Sequence, residues 1–432
     1  MERKDEIIWV RSDSVTYRIK LGESTYQFCK SFNPRDINNA YPHFFGLGAP
    51  QFRSNPLHYD SQRSLYNQEV RLLKALESIG QDFVPVIAGE DPERLQVFME
   101  YLPYPTYQDF LRKTSDEESK RSSIREIVEF LTRVHVYCND NLSQISTGVS
   151  RGGKRLRIRS FEEESSRFER HIEAILLHSG GETAASSTML SSPTKHDRRQ
   201  VRNCLESAGI DLSSLVREFI RGDREIAKHK KEFVHGDFRP QNIFYSEDPE
   251  THERRGTKIC DFDKVRLGLV NDDLATALYN IHTYPFQEEQ EQFFRVQATD
   301  YFIGRGTPAS ELPDRLASLV SSYLKSSIKD FGVHCSMGWR EMAWFLNDTE
   351  RARYEQSTSP KEILLHDKFV AHFERFFAYY LAGDGSELIH RASPAVSKVV
   401  EKQLHTLEKL FKVGSILPHN SSFHEGQIRA TG

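Results

Sequence analysis

The stretch Phe233-Val-His-Gly-Asp-Phe-Arg-Pro-Gln-Asn-Ile-Phe244, followed downstream by Lys258-Ile-Cys-Asp-Phe-Asp263, decides how this 432-residue chain is read. An apolar run enters His235-Gly236-Asp237, a loop follows, and Asn242 opens a second apolar run. Lys258 to Cys260 reads as another strand, with the carboxylate of Asp261 at its end. The residues between, 246–256, are charged and turn-like, so the two runs are expected to pair as a hairpin. That pairing brings Asn242 and Asp261 together at one end of it. Taken singly, each residue has an ordinary explanation, an Asp in a turn or an Asn in an Asx-type bend. The spacing of all three is what points to chemistry.

Transfer of a phosphoryl group needs a carboxylate that orients the acceptor hydroxyl and takes its proton. It also needs oxygen ligands that hold Mg2+ against the phosphates, because metal and cations carry the developing charge. Asp and Asn oxygens are hard ligands of the kind Mg2+ takes. In this reading Asp237 is the base, and Asn242 and Asp261 hold the metal.

Upstream, Val15 to Leu21 alternates, the turn Gly22-Glu-Ser24 follows, and Thr25 to Phe32 alternates again. Two alternating runs across a short polar turn make a hairpin. Tyr26, Phe28, Lys30 and Phe32 share one face, so Lys30 lies among aromatic residues where a charge is costly without partners. Snorkelling at a sheet edge is the plainer alternative. Residues 33–64, rich in Asn, Pro, Gly and aromatics, read as one long connection. A helix is expected from about Leu65 to Ile79, with Tyr66, Glu69, Leu73 and Leu76 on one stripe. Glu69 interrupts that apolar stripe and so faces inward, or else is exposed. Val84 to Ala88 and Leu95 to Leu102 supply further strands, and Pro103 and Pro105 mark a boundary.

Beyond it the spacing predicts helices over Ile124–Val136 and Phe161–Leu177, a Gly/Ser-rich loop over 179–197, and amphipathic helices from Asp273 to near Val413. The net charge of −4 gives no global reason to expect nucleic acid or an anionic membrane as partner. No apolar stretch approaches the roughly 20 residues that span a bilayer. The first residues carry mixed charge and do not read as a targeting signal. The five cysteines are scattered without a Cys-x-x-Cys pair, which argues against a disulfide framework and fits a reducing, cytoplasmic location.

Protein kinases carry His-Arg-Asp with an Asn five positions after the Asp, and later Asp-Phe-Gly. Here the triplets are His235-Gly-Asp237 and Asp261-Phe-Asp263, and Asp273-Leu-Ala follows. This variant resembles the aminoglycoside phosphotransferase and choline kinase branch, which acts on small molecules. The resemblance implies an α+β, two-lobed protein-kinase-like fold. A small antiparallel β-rich ATP-binding lobe with one helix would span 1–103. A larger, mainly helical lobe with the catalytic loop and substrate site would span 104–417, and 418–432 would be a flexible tail. It implies ATP and Mg2+ as cofactors, with Asp237 as base and Asn242 and Asp261 as metal ligands. Lys30 would meet the ATP phosphates, paired with Glu69, and the backbone around Glu100 to Leu102 would meet the adenine. Asp273 would support the catalytic loop, a plain helix N-cap being the alternative, and His235 would be scaffold. The loop Arg11-Ser-Asp-Ser14 departs from the pattern, since kinases usually place glycines there.

The acceptor implied is a small molecule with a free hydroxyl. A cationic acceptor would want carboxylates, for which Glu162–Glu164, Glu288, Glu289 and Glu291 are candidates, with solvated helix faces as the plainer reading. Two rivals remain. Gly236 in place of Arg, and the lack of Asp-Phe-Gly, count against a protein Ser/Thr kinase. The complete set Lys30, Asp237, Asn242 and Asp261 counts against a non-catalytic nucleotide-binding scaffold.

Overall fold

The computed structural model describes residues 6–10, 14–23, 25–45, 59–80, 82–114, 116–150, 156, 159–179, 195–226, 232–245, 256–281, 288–335, 342, 348–356, 360–365 and 371–414. The alternating segments form strands β1 (Glu6–Val10), β2 (Val15–Lys20) and β3 (Tyr26–Ser31). Helices α1 (Pro34–Phe45) and α2 (Tyr59–Ser78) follow, then β4 (Ile87–Asp91) and β5 (Gln96–Glu100). All five strands join one antiparallel sheet in the order β1-β2-β3-β5-β4. Its register puts Lys30 opposite Thr16 on one side and Val97 on the other, so the lysine sits on the central strand.

The span 33–64 is not one connection, because it holds all of α1 and the first turns of α2. Asn33-Pro34 starts α1. The Asn33 side-chain oxygen accepts from the Arg35 N–H at 3.0 Å, its carbonyl accepts from the Ile37 N–H at 3.1 Å, and Pro34 stands where a helix has no use for an N–H. Ile37 and Ala40 then pack on Val10 and Val15, at the end of the sheet where β1 turns into β2. Helix α2 begins before Leu65 because its first turns, Tyr59 to Ser64, are polar and carry little apolar period. Its buried stripe includes Tyr66, Glu69, Leu73 and Leu76.

Helix α3 (Tyr107–Lys113) is capped by Thr106, and α4 (Glu117–Asp140) by Asp116, whose carboxylate accepts from the Ser119 N–H at 2.8 Å. Next come α5 (Leu142–Ser150), α6 (Phe161–Ser179), α7 (Lys195–Ser207) and α8 (Leu212–Ile226). The stretch that carries the motif holds four short strands, β6 (Glu232–Val234), β7 (Ile243–Phe244), β8 (Lys258–Ile259) and β9 (Arg266–Gly268). Tight helical turns at Pro240–Asn242 and Phe262–Lys264 interrupt it. Strands β7 and β8 pair antiparallel, Ile243 opposite Ile259, and β6 pairs antiparallel with β9. Helix α9 (Val270–Ile281) follows. The remainder is helical: α10 (Glu288–Gly304), α11 (Leu312–Cys335), α12 (Asp348–Glu355), α13 (Pro360–Leu365), α14 (Ala371–Ala382), α15 (Gly385–His390) and α16 (Pro394–Gly414). The fold is therefore α+β. Residues 11–13 of the glycine-free loop 11–14, 246–255 of the turn-like stretch 246–256, 180–194 of the span 179–197 and the tail 418–432 lie outside the described residues. Ser179 ends α6 and 195–197 open α7, so these are helix, not loop.

The chain divides into two units, one of residues 1–158 and 231–281, the other of 159–230 and 282–432. The first holds the sheet, α1–α5, β6–β9 and α9. The second is all helix among its described residues. Its helices approach closely where α11 has Gly332, since a Cβ there would meet the His171 Cα at 2.7 Å. An aromatic stack fills its interior, with the Tyr323 and Phe376 rings 5.6 Å apart and 7° from parallel. Buried Asp223 holds Lys325 at 2.5 Å. Glu164 lies 3.5 Å from that lysine and 3.1 Å from Arg224, so one of the acidic residues weighed for a cationic acceptor already has cations. The side chains of Glu288, Glu289 and Glu291 lie outside the described residues. Among the described residues no helix is long and apolar enough to cross a membrane.

Candidate active site

Lys30 reaches the site because it is the inward residue of a central strand. Its ammonium lies 2.6 Å from Glu69 Oε2 on α2 and 2.6 Å from Asp261 Oδ1, just after β8. All three side chains are almost wholly buried, at 6%, 1% and 5% exposure, so the charges are compensated by one another rather than by water. The Phe32 ring centroid, 4.9 Å from the ammonium, covers it further. The lysine thus ties the sheet, α2 and the strand before Asp261 into one cluster. With two carboxylates to one ammonium, that cluster keeps a net negative charge.

Asp261 has φ +69°, a left-handed backbone rarely adopted by residues other than glycine, Asn and Asp. Such a conformation costs of order 1–3 kcal/mol and persists where the surroundings impose it. Here it turns the chain from β8 into the Phe262–Lys264 turn and aims the carboxylate at Lys30.

Asn242 and Asp261 come together as the hairpin reading requires. The Cys260 N–H donates to the Asn242 carbonyl at 2.9 Å, one residue before Asp261. The Asn242 side-chain amide donates to the Asp237 carbonyl at 2.8 Å, which turns its oxygen away from that carbonyl. An amide oxygen and a carboxylate beside a net negative cluster suit a hard divalent cation, which keeps several waters and phosphate oxygens as its other ligands. Among the described residues no group of three or more His, Cys, Asp and Glu forms a self-sufficient metal cage.

Asp237 itself is 3% exposed, with cations on both oxygens. Arg239 Nε is 3.0 Å from Oδ1 and Lys264 Nζ is 2.6 Å from Oδ2. The loop that carries it is fastened from below by Asp273 at the start of α9. That carboxylate, fully buried, accepts from the backbone N–H groups of His235 at 2.6 Å and Gly236 at 2.7 Å, and from His135 Nε2 on α4 at 3.0 Å. Burial alone would raise the Asp273 pKa. The hydrogen bond from His135 and the electrostatic influence of His135, His235 and Arg266 outweigh it and hold the group below the ordinary Asp value.

Burial pushes the His235 imidazole down to about 4, so it is neutral at pH 7. Its hydrogen bonds select one tautomer. Nε2–H donates to the Cys260 carbonyl at 3.1 Å, and Nδ1 accepts from the Asp237 N–H at 3.3 Å. His235 thereby joins the Asp237 loop to the strand before Asp261. Gly236, at φ +80°, leaves no room for a side chain: a Cβ would meet Arg266 Nη1 at 2.3 Å and the Lys264 carbonyl at 2.4 Å.

Glu100 and Leu102 lie apart from this cluster in their bonding. The Glu100 N–H is committed to the Val86 carbonyl at 2.9 Å, and its carboxylate accepts from the Val86 N–H at 3.1 Å and from the Lys258 ammonium. Leu102 is buried at 4% exposure. Reading the sequence did not single out Lys258, Lys264, Arg266 or His135. Lys264 and Arg266 follow Asp261 by three and five positions, and that proximity was the one available signal.

A buried lysine between two carboxylates, a hairpin that joins an Asn to an Asp, and a braced loop carboxylate, all on an α+β frame, define a protein of the kinase-like class. The chain belongs to the phosphotransferase enzyme family, whose family model matches residues 52–311. It is accordingly an enzyme that transfers phosphate to a hydroxyl acceptor. No curated protein matches it in sequence. Solved structures similar to it include the GDP complex of aminoglycoside 2'-phosphotransferase-IIIa, with 11% identity and a TM-score of 0.48, covering 86% of this chain and 93% of that one. The ethanolamine kinase of Plasmodium vivax is 10% identical with a TM-score of 0.43, covering 84% of this chain and 81% of that one. A choline/ethanolamine kinase family protein from Mesorhizobium loti is 12% identical with a TM-score of 0.43, and 92% of each chain is covered.

Proposed function

We propose that this enzyme transfers the γ-phosphate of ATP to a hydroxyl of a small molecule, with Asp237 as the base and Asn242 and Asp261 as the ligands of Mg2+. The acceptor oxygen forms a new bond to the γ-phosphorus as the bond to the β–γ bridging oxygen breaks. The hydroxyl proton passes to Asp237, and ADP leaves with the electron pair. Lys30 contributes charge against the nucleotide phosphates, and Glu69 fixes the direction of its side chain. Bound Mg2+ would neutralise charge on the phosphate oxygens. Asp273 and His235 act on no substrate atom and hold the Asp237 loop in place.

The observation that carries this reading is the buried contact of Lys30 with both Glu69 and Asp261. A lysine and two carboxylates from three separate elements, all nearly dry, have little structural reason to meet, because apolar residues of similar volume would be as stable or more so. The test is transfer of labelled phosphate from ATP with Mg2+ into a pooled panel of aminoglycosides, amino alcohols, sugars and nucleosides. The wild type is expected to label one acceptor class, and Asp237→Ala to lower the rate about 10²–10⁴-fold, the span of a positioned general base. Equal transfer by both proteins would remove Asp237 from the mechanism.

A further inference from the structure

The two ends of the site are biased in opposite senses. Lys30 faces two carboxylates, whereas Asp237 faces two cations. A surplus of negative charge suits a metal ion. A surplus of positive charge at Asp237 suits an anionic group.

The same arrangement sets a problem for the base. Lys264 donates a hydrogen bond to Asp237 Oδ2 at 2.6 Å, whereas Arg239 Nε lies 3.0 Å from Oδ1 without hydrogen-bond geometry, so Lys264 is the cation an acceptor hydroxyl must displace to reach Oδ2. Lys264 is the one built to move. Its side chain is 31% exposed against 20% for Arg239, and an ammonium on a flexible stem reorients more readily than a planar guanidinium. Its backbone, by contrast, is fixed. It ends the turn Phe262–Lys264, the next N–H donates back to the Phe262 carbonyl at 3.3 Å, and its own carbonyl lies against Gly236. Only the side chain has room to swing.

We infer that Lys264 exchanges Asp237 for the transferred phosphoryl group when ATP binds, which frees Oδ2 for the acceptor hydroxyl. The distances permit it. A general base lies about 2.6–3.2 Å from the oxygen it deprotonates, and that oxygen about 3–3.5 Å from the phosphorus it attacks. An ammonium 2.6 Å from the base therefore reaches the phosphoryl oxygens by side-chain rotation alone. The inference rests on the reading of Asp237 as base, and it makes Lys264 a catalytic residue that recognises the third phosphate.

Equilibrium binding of a non-hydrolysable ATP analogue and of ADP, each with Mg2+, tests it by calorimetry. Wild type, Lys264→Met and Lys264→Arg are compared, with Asp237→Ala alongside. Lys264→Met is expected to weaken the triphosphate about tenfold, the size of one charge-assisted hydrogen bond, and to change ADP less than about twofold. Lys264→Arg is expected to restore most of that preference, which a merely structural cation would not do. Equal weakening of both nucleotides, or of neither, would overturn the inference. Failure of the base reading has a different signature: Asp237→Ala would then keep transfer, whatever the nucleotide preference of the Lys264 variants.

Discussion

Removing the cation and removing one carboxylate from the Lys30 cluster are not mirror images. Lys30→Met takes from Glu69 and Asp261, 1% and 5% exposed, the ammonium that both contact. Breaking a buried pair in that way costs about 3–5 kcal/mol. Glu69→Gln leaves the Lys30–Asp261 pair intact and neutral, and the amide still offers an oxygen to the ammonium, so the expected loss is about 1 kcal/mol. Urea unfolding at pH 7 without nucleotide or metal measures both. A greater loss for Glu69→Gln than for Lys30→Met would mean that the negative surplus assigned to this cluster is wrong. The residues of the cluster were legible because each breaks a local pattern: Lys30 interrupts an aromatic strand face and Glu69 an apolar helix stripe. The cations at Asp237 break no such pattern. Lys264 ends a mixed turn and Arg239 lies in the loop just after Asp237, so only their placement in space marks them.

Turns give the elements their positions, and two glycines separate backbone strain from crowding. Gly80, just after α2, has φ +79° with nothing within 4 Å of a would-be Cβ, whereas Gly236 has φ +80° with a backbone carbonyl 2.4 Å from it. Gly80→Ala is expected to cost about 1–2 kcal/mol, the left-handed penalty alone. Gly236→Ala carries that penalty and must also displace Lys264 and Arg266, so the expected loss exceeds about 3 kcal/mol, with transfer activity lost as the Asp237 loop shifts. Thermal unfolding of the two variants gives the comparison, and similar losses would show that the 264–266 segment yields easily. The same segments show what the sequence discloses about elements. Strands β2 and β3 announce themselves by alternation, and α4 and α6 by apolar spacing. Helix α1 does not, since Asn38, Asn39 and Tyr41 dilute its period; its marker was the Asn33-Pro34 start, a capping signal rather than a periodic one. The short strands β7 and β8 are held by two opposed pairs, Ile243 with Ile259 and Phe244 with Lys258, and could be read only through the motif they frame.

At the scale of the molecule the division into 1–158 with 231–281 and 159–230 with 282–432 has no marker in the sequence. Periodicity and turn signals are local, and here each unit is completed by segments far apart in the chain. The units do share a liability, a buried neutral histidine in each. Burial holds His235 at about 4 in the first unit and His372 at about 3 in the second, against an ordinary 6.5. In the unfolded chain both gain a proton near pH 6.5, and in the fold neither does until the lower value is reached. Between those limits the unfolded state binds more protons, so stability falls as pH drops, by about 1.4 kcal/mol per pH unit for each histidine, and is level above pH 6.5 for these groups. His372 allows this to be isolated, because its ring packs against both the Tyr323 ring at 6.0 Å and the Phe376 ring at 6.2 Å, apolar surroundings that a phenylalanine shares. His372→Phe removes one proton site without touching the Asp237 cluster. Its advantage over the wild type is expected to grow by about 2 kcal/mol between pH 7.5 and pH 5, read from hydrogen exchange in α11 and α14, while amides in β6 and α9 keep the wild-type pH dependence. Parallel pH curves for the two proteins in α11 and α14 would show that His372 already carries its proton, or meets water, within the fold.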